Sequence, residues 1–244
     1  MAFFPDLAAS DLAALTVFLA AWLGYPVAIR LLGPGAINAG LHDVRVLWMR
    51  SMSLRDNRIF DSSLIGLVVH STSFFASTSL IAIGALIGVL TGLDRLLPAF
   101  EGVGVAMPRG LLELKILLPL LVLVQGLFKL TWALRQLNYT VALLGAYPPM
   151  RLETGLRDRL TAEIGGVLSS AVATFNAGIR SYYFALVALA WLAGPWALGI
   201  AACALTLLLL HRQSRSGVSA RFARARALMI QAHAPPAATQ KADP

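Results

Sequence analysis

The sequence predicts an all-α integral membrane bundle of four transmembrane helices with two amphipathic connecting helices. Three observations carry that expectation. Of 244 residues, 58% are hydrophobic and 13% charged, against roughly a quarter charged in ordinary soluble domains, and the mean hydropathy is +0.73. The apolar residues are gathered into four blocks, each reaching the roughly 20 residues that a spanning helix needs. The charges flank those blocks more than they interrupt them. The net charge of +8 therefore reads first as orientation by the positive-inside rule and second as attraction to anionic lipid. Nucleic acid is not an expected partner.

The membrane domain is expected over residues 1–212, with spans at about 10–32, 64–93, 114–138 and 181–210. Span one has Leu12 to Leu23 as its apolar core, Trp22 and Tyr25 as interfacial rings and Pro26 as a kink site. No basic stretch precedes it, so it reads as a retained span rather than a cleaved signal. Gly33-Pro34-Gly35 then breaks the chain. Leu41, Val44, Trp48 and Met52 recur at helical spacing, which makes the next segment an amphipathic helix lying on the surface. Residues 59–93 form a second helix longer than one untilted span. Its first half is rich in hydroxyls, and its second half carries Gly84, Gly88 and Gly92 at four-residue spacing. Small residues in that register admit another helix closely, so this face is the expected seam, within the chain or with a second membrane protein.

Residues 94–113, with Pro98, Gly102, Gly104 and Pro108, read as a loop. The third span returns antiparallel to the second, with Leu93 and Ile116 at one face. It begins as a pure apolar run and then places Gln125, Lys129, Arg135 and Asn138 in its second half. After Pro148-Pro149, residues 151–180 carry an apolar stripe beside Arg157, Asp158, Arg159 and Glu163, the pattern of a second amphipathic connecting helix. The fourth span has Gly194-Pro195 as a kink site. The tail, 213–244, alternates arginines with small apolar residues and ends in an Ala/Pro-rich, disordered-type composition. The charge balance between the two faces is nearly even. The lack of basic residues ahead of the first span tips the expectation to both termini outside, in a bacterial inner (plasma) membrane.

The costly residues lie on the second and third spans. A charge at the centre of a spanning helix costs roughly 2.5–3.5 kcal/mol on insertion scales, so Lys129 must snorkel, find a partner or face a wet cavity. Counting inward along antiparallel helices brings Lys129 to the depth of Leu80, and Arg135 with Asn138 to the depth of His70. His70, Ser73, Ser77, Gln125, Lys129, Arg135 and Asn138 then form a candidate polar zone. Two readings fit it. The hydroxyls bond back to their own helix while the cations snorkel, or the group is a positive vestibule for a small anion or lipid headgroup. A second candidate is the surface motif Arg45, Trp48, Asp56, Asn57 and Arg58, which serves topology control or recognises lipid phosphate.

No catalytic, cofactor-binding or metal-ligating pattern stands out. The four histidines are scattered without an HExxH spacing, Gly102-Val103-Gly104 lacks the strand-to-helix setting of a nucleotide fingerprint, and no serine lies in a nucleophile elbow. The lone Cys203 excludes an intrachain disulfide.

Three stretches point to a family. Arg45-Val46-Leu47-Trp48 runs through Met52 to Asp56-Asn57-Arg58, Arg135 stands with Asn138, and Arg180 stands with Tyr183 ahead of Gly194-Pro195. Over about residues 10–212 the chain resembles a family of four-span membrane proteins of bacteria and plants defined only as a domain of unknown function. The basic, Ala-rich tail departs from the plant relatives. The resemblance implies the fold and no activity. The expected role is non-enzymatic, an interaction or assembly protein whose partners are the bilayer and a second copy or another membrane protein. The alternative is a channel or carrier subunit for a small anion or lipid headgroup.

Overall fold

The computed structural model describes residues 7–31, 37–102, 107–214 and 217–233. Every element among them is helical: α1 (Ala9–Leu31), α2 (Ile37–Ser53), α3 (Ile59–Thr91), α4 (Leu93–Gly102), α5 (Arg109–Gly145), α6 (Thr154–Leu189), a 3-10 turn (Ala190–Ala193), α7 (Pro195–Ser214) and α8 (Gly217–His233). Four of them, α1, α3, α5 and the stretch beginning at Pro195, are long and apolar enough to cross a membrane. Large apolar side chains such as Ile81, Phe128, Leu186 and Ile200 stand exposed around them, the surface expected of a protein solvated by lipid. This is a multi-pass membrane protein. The Gly33-Pro34-Gly35 turn, Gly104 and the last eleven residues of the tail lie outside the described residues.

The centre of the bundle is the antiparallel pair α5 and α6. Where they cross, a Cβ built on Gly126 would lie 2.6 Å from the Ser181 Cβ, and one built on Gly178 would lie 2.7 Å from the Leu130 side chain. Only hydrogen fits at either position, so the two backbones meet without intervening side chains, and Ser181 Oγ donates to Gln125 Oε1 across the seam at 3.1 Å. At one end of the pair, Leu137 and Tyr147 pack with Ile164 and Leu168 and with Met49 and Met52 of α2. At the other end, Leu112 and Ile116 pack with Leu93 and Leu192, as the expected pairing of Leu93 with Ile116 required. Here also Asp11, at the start of α1, accepts from the buried Trp191 Nε1 at 2.7 Å, a hydrogen bond to a carboxylate worth about 1.5–3 kcal/mol.

Two expectations are corrected. Residues 94–113 are not a loop: α4 runs to Gly102 and α5 begins at Arg109. Leu93 and Leu97 give the short helix an apolar side packed near Met107 and Leu112, and Arg109 pairs with both Asp94 and Glu113. Residues 151–180 and 181–189 are not a surface helix followed by the start of a span. Nothing at Arg180-Ser181 interrupts the ladder, and the buried side of Ile164, Leu168, Ala171, Gly178, Ser181, Ala185 and Ala188 continues across it. The break comes instead at Gly194, whose φ of 128° is open to glycine and strained for other residues. Pro195, without an N–H, suits the first turn of the next helix. The fourth span therefore starts at Pro195. The basic part of the tail, for which no element was expected, is helical over Gly217–His233 and docked on α2. Arg226 pairs with Asp43, His233 Nε2 lies 3.0 Å from Ser51 Oγ, and Phe222 reaches Gly40.

α6 is too polar in its first half to count as a span by composition, yet it lies against α5 from one end of the bundle to the other. α1, α3, α5, α6 and α7 thus alternate in direction, which leaves α7 parallel to α1, joined by Phe18, Leu198 and Ala202 in one cluster. Ala9 is at the Trp191 end of the bundle, and Ser214 is at the α2 end.

Candidate functional site

A cleft of about 1090 Å³ opens between α1, α2, α5 and α6. Its rim holds His42, Arg45 and Glu163, and its inner end holds Tyr25, Lys129 and Arg180. Lys129 is 20 residues from Arg109 and 16 from Gly145, the two ends of α5. At 1.5 Å per residue that places it about 30 Å from one end of the helix and about 24 Å from the other, near the middle of the bundle. Arg180 lies at the same depth, because its neighbour Ser181 bonds Gln125 one turn from Lys129. From Glu163 to Arg180 the cleft follows 17 residues of α6, about 26 Å.

The electrostatics follow from what is missing around the cations. Among the described residues no carboxylate lies within 4.0 Å of Arg45, Lys129 or Arg180; ion pairs form at Arg50, Arg55, Arg109, Arg157 and Arg226 instead. Arg180 lies over the Tyr25 ring at 5.2 Å, a cation-π contact that holds the guanidinium without neutralising it. The Tyr25 hydroxyl and the Gln136 carboxamide oxygen, both lining the cleft, are buried and meet no partner among the described residues. Burial lowers the pKa of Arg45 at the rim from its ordinary value, the cost of removing a guanidinium from water. Glu163 is the one carboxylate lining the cleft, at the rim. The inner end therefore presents two cations and a phenol to a polar, membrane-depth space, an arrangement that can hold an anion.

The candidate polar zone is divided by the structure. Lys129 lines the cleft, and Gln125 serves the α5–α6 seam. Arg135 and Asn138 are exposed on other faces of α5, and Asn138 lines a separate pocket against α3. His70 and Ser77 are exposed and Ser73 is half-buried, and none of the three lines the cleft. Other hydroxyls of α3 bond back to their own helix, as Thr72 does to the Val68 carbonyl at 2.7 Å. The surface motif is divided too. Arg45 joins the cleft, Trp48 Nε1 donates to the buried Asp61 at 2.6 Å, and Asn57 Oδ1 accepts from the Ile59 N–H at 2.9 Å. Arg58 donates to the carbonyls of Tyr147 and Pro148, and Asp56 lines a small basic pocket beside it. Among the described residues, a Cβ built on Gly84 or Gly88 meets nothing within 4 Å, and one built on Gly92 meets only the carbonyls of Gly88 and Val89.

The main omission in the sequence reading is Arg180. It is the only Asp, Glu, Lys or Arg between Glu163 and Arg212, and that isolation was the available signal. Among the described residues no three His, Cys, Asp or Glu side chains gather in a metal-binding group.

A model of the family described as "Protein of unknown function, DUF599" matches residues 13–218. The chain belongs to that family. The match begins inside α1, takes in α2 to α7 whole and ends at the start of α8, so the cleft and both walls of the Gly126 seam lie within the DUF599 region. No curated protein and no solved structure matches the chain significantly.

Proposed function

We propose that this DUF599 protein is a membrane-embedded binding protein, of the channel or carrier-subunit class, for an organic anion that enters the cleft from the α2 end. The single observation that supports it most is the pair Lys129 and Arg180, two cations at mid-bundle depth in one cleft without an acid to neutralise them. Two like charges in such a place raise each other's cost, and a bound carboxylate or phosphate removes it. The volume exceeds what a bare inorganic anion needs and lies at the upper end of small-molecule sites. Trp132, Val167 and Ala173 give the walls an apolar share suited to an organic tail. The assembly reading rests on Gly84 and Gly88, where an added Cβ would meet no atom within 4 Å among the described residues, and it carries less. With octyl phosphate as probe in calorimetric titration of the detergent-solubilised protein, Lys129→Gln and Arg180→Gln are each expected to weaken binding at least tenfold, and Arg135→Gln to leave it unchanged. Equal binding by all three variants and the wild type would reject the cleft.

The same reading requires α6 to cross the bilayer with α5, so that Ala9 and Ser214 face opposite sides. In a Cys203→Ser background, a cysteine at Ala8 and one at Gly102 are expected to react with an impermeant maleimide from one side of the membrane. Cysteines at Arg55 and Gly217 should react from the other. Labelling of Ala8 and Gly217 from the same side returns the chain to an even number of crossings.

A further inference from the structure

The polar residues left over by the cleft converge elsewhere, at the rim between α3 and α5. Two pockets meet there. The first, of about 460 Å³, is a slot lined by Ile65, Val69, Val141 and Leu144 with Asn138, Gly66 and the buried carboxylate of Asp61. The other, of about 280 Å³, is lined by Arg55, Arg58, Arg151 and Asp56. Arg58 belongs to both. Its guanidinium lies over the Tyr147 ring at 4.8 Å and donates to the Tyr147 and Pro148 carbonyls at 3.2 Å each, which fixes it at the junction and leaves three of its five N–H donors for another group. Arg55 is already paired with Asp61. Among the described residues Arg58 and Arg151 have no carboxylate partner, so the junction sets these two guanidiniums against the exposed Asp56, with Asp61 already held by Arg55.

The direction of the slot matters as much as its lining. α3 starts at the rim, beside Arg58, and runs inward, and α5 ends at the same rim. From Arg58 to Val69 is eleven residues, about 16 Å of depth at 1.5 Å per residue. The apolar walls therefore extend from the cationic junction into the hydrocarbon, between two helices whose outer faces are lipid-exposed. Phe60, exposed beside Arg55 at 5.7 Å, adds an aromatic ring at the interface. Asn138 is exposed on this lipid-facing surface and, among the described residues, its amide has no partner. An amide left unbonded in hydrocarbon is costly.

We infer that this junction binds one anionic diacyl phospholipid per chain, with its phosphate between Arg58 and Arg151 and one acyl chain lying in the α3–α5 slot. An ester carbonyl of the seated lipid accepts from the Asn138 amide. Charge selects the headgroup, and the slot selects a lipid over a free phosphate, since neither part alone accounts for the shared Arg58. This site is separate from the cleft and shares no residue with it.

The test is native mass spectrometry of the full chain, with phosphatidylglycerol or phosphatidylcholine added to detergent micelles. Wild type is expected to retain one phosphatidylglycerol, at least tenfold more strongly than phosphatidylcholine, and glycerol phosphate at the same concentration should not displace it. Arg58→Gln with Arg151→Gln should remove the preference. Gly66→Leu should remove the lipid while leaving the fold intact, because Gly66 lines the slot and a Cβ built there meets no atom within 4 Å. Lys129→Gln should retain the lipid, which separates failure here from failure of the cleft. Equal retention of the two lipids by wild type, full retention by Gly66→Leu, or displacement by glycerol phosphate would each overturn the inference.

Discussion

Gly126→Leu lowers the melting temperature of the detergent-solubilised protein by about 10 °C or prevents its folding, while Gly84→Leu melts with the wild type. The difference comes from what each new side chain meets. At Gly126 the first added carbon already lies 2.6 Å from the Ser181 Cβ and 3.4 Å from the Gly178 carbonyl. Neither is the far end of a flexible chain, so α6 must move away from α5. Overpacking costs about 1–3 kcal/mol and occasionally more. A helix-to-helix seam of backbone on backbone cannot yield by a rotamer change, so a loss at or above the top of that range is expected. At about 2–4 °C per kcal/mol for a chain of this size, the shift reaches about 10 °C. Displacing α6 also separates Ser181 from Gln125 and opens the inner end of the cleft. At Gly84 the added carbon meets nothing. A Gly126→Leu protein that melts with the wild type, or a Gly84→Leu protein that melts as low as it, would disprove the central role of the α5–α6 crossing.

The same two glycines show what was legible in the sequence. Hydropathy placed α1 to within a residue at each end and α3 and α5 to within about seven, because twenty or more mostly apolar residues together have few other uses. The Gly84-Gly88-Gly92 stripe was equally visible, and among the described residues no other helix of the chain packs on Gly84 or Gly88. Small residues report that a helix can be approached closely, and do not report that one approaches. Gly126 stands alone in a Leu-rich block, and its partner Gly178 lies in a segment whose first half carries Arg157, Asp158, Arg159 and Glu163. Those charges made the whole segment read as a surface helix. A seven-residue spacing of Ala171, Gly178 and Ala185, all on the buried side of α6, was the signal that a core helix continued past Arg180. Lys129 was legible because it interrupts an apolar run. Arg180 was not, because the expected helix boundary put it at a membrane face, where an arginine is ordinary. Arg135 and Lys129, six residues apart on one helix, are about 120° apart around its axis, given 3.6 residues per turn, and the structure places only Lys129 in the cleft.

Reversing one of the two inner charges should therefore stabilise the protein and silence it. Lys129→Glu is expected to raise the melting temperature by about 2–6 °C and to abolish octyl phosphate binding. In the wild type, Lys129 and Arg180 share the inner cleft as like charges, with Tyr25 beneath Arg180 as the only aromatic support. A glutamate in place of Lys129 replaces that repulsion with an ion pair. At an effective dielectric near 20, unit charges 4 Å apart interact by about 4 kcal/mol. Desolvation of the pair consumes much of this, which leaves a net gain of about 1–2 kcal/mol. Arg180 then has a permanent internal anion, and an external one must compete with a carboxylate held at effectively unlimited concentration. Lys129→Gln gives only relief of the repulsion, so it should bind weakly and melt between the two. The order of melting, wild type below Lys129→Gln below Lys129→Glu, opposite to the order of binding, is the signature of a site kept unstable for its ligand. Arg135→Glu, on an exposed face outside the cleft, should change neither. Should Lys129→Glu destabilise the chain while octyl phosphate still binds, the two cations do not act on one ligand, and the cleft is only a gap between helices.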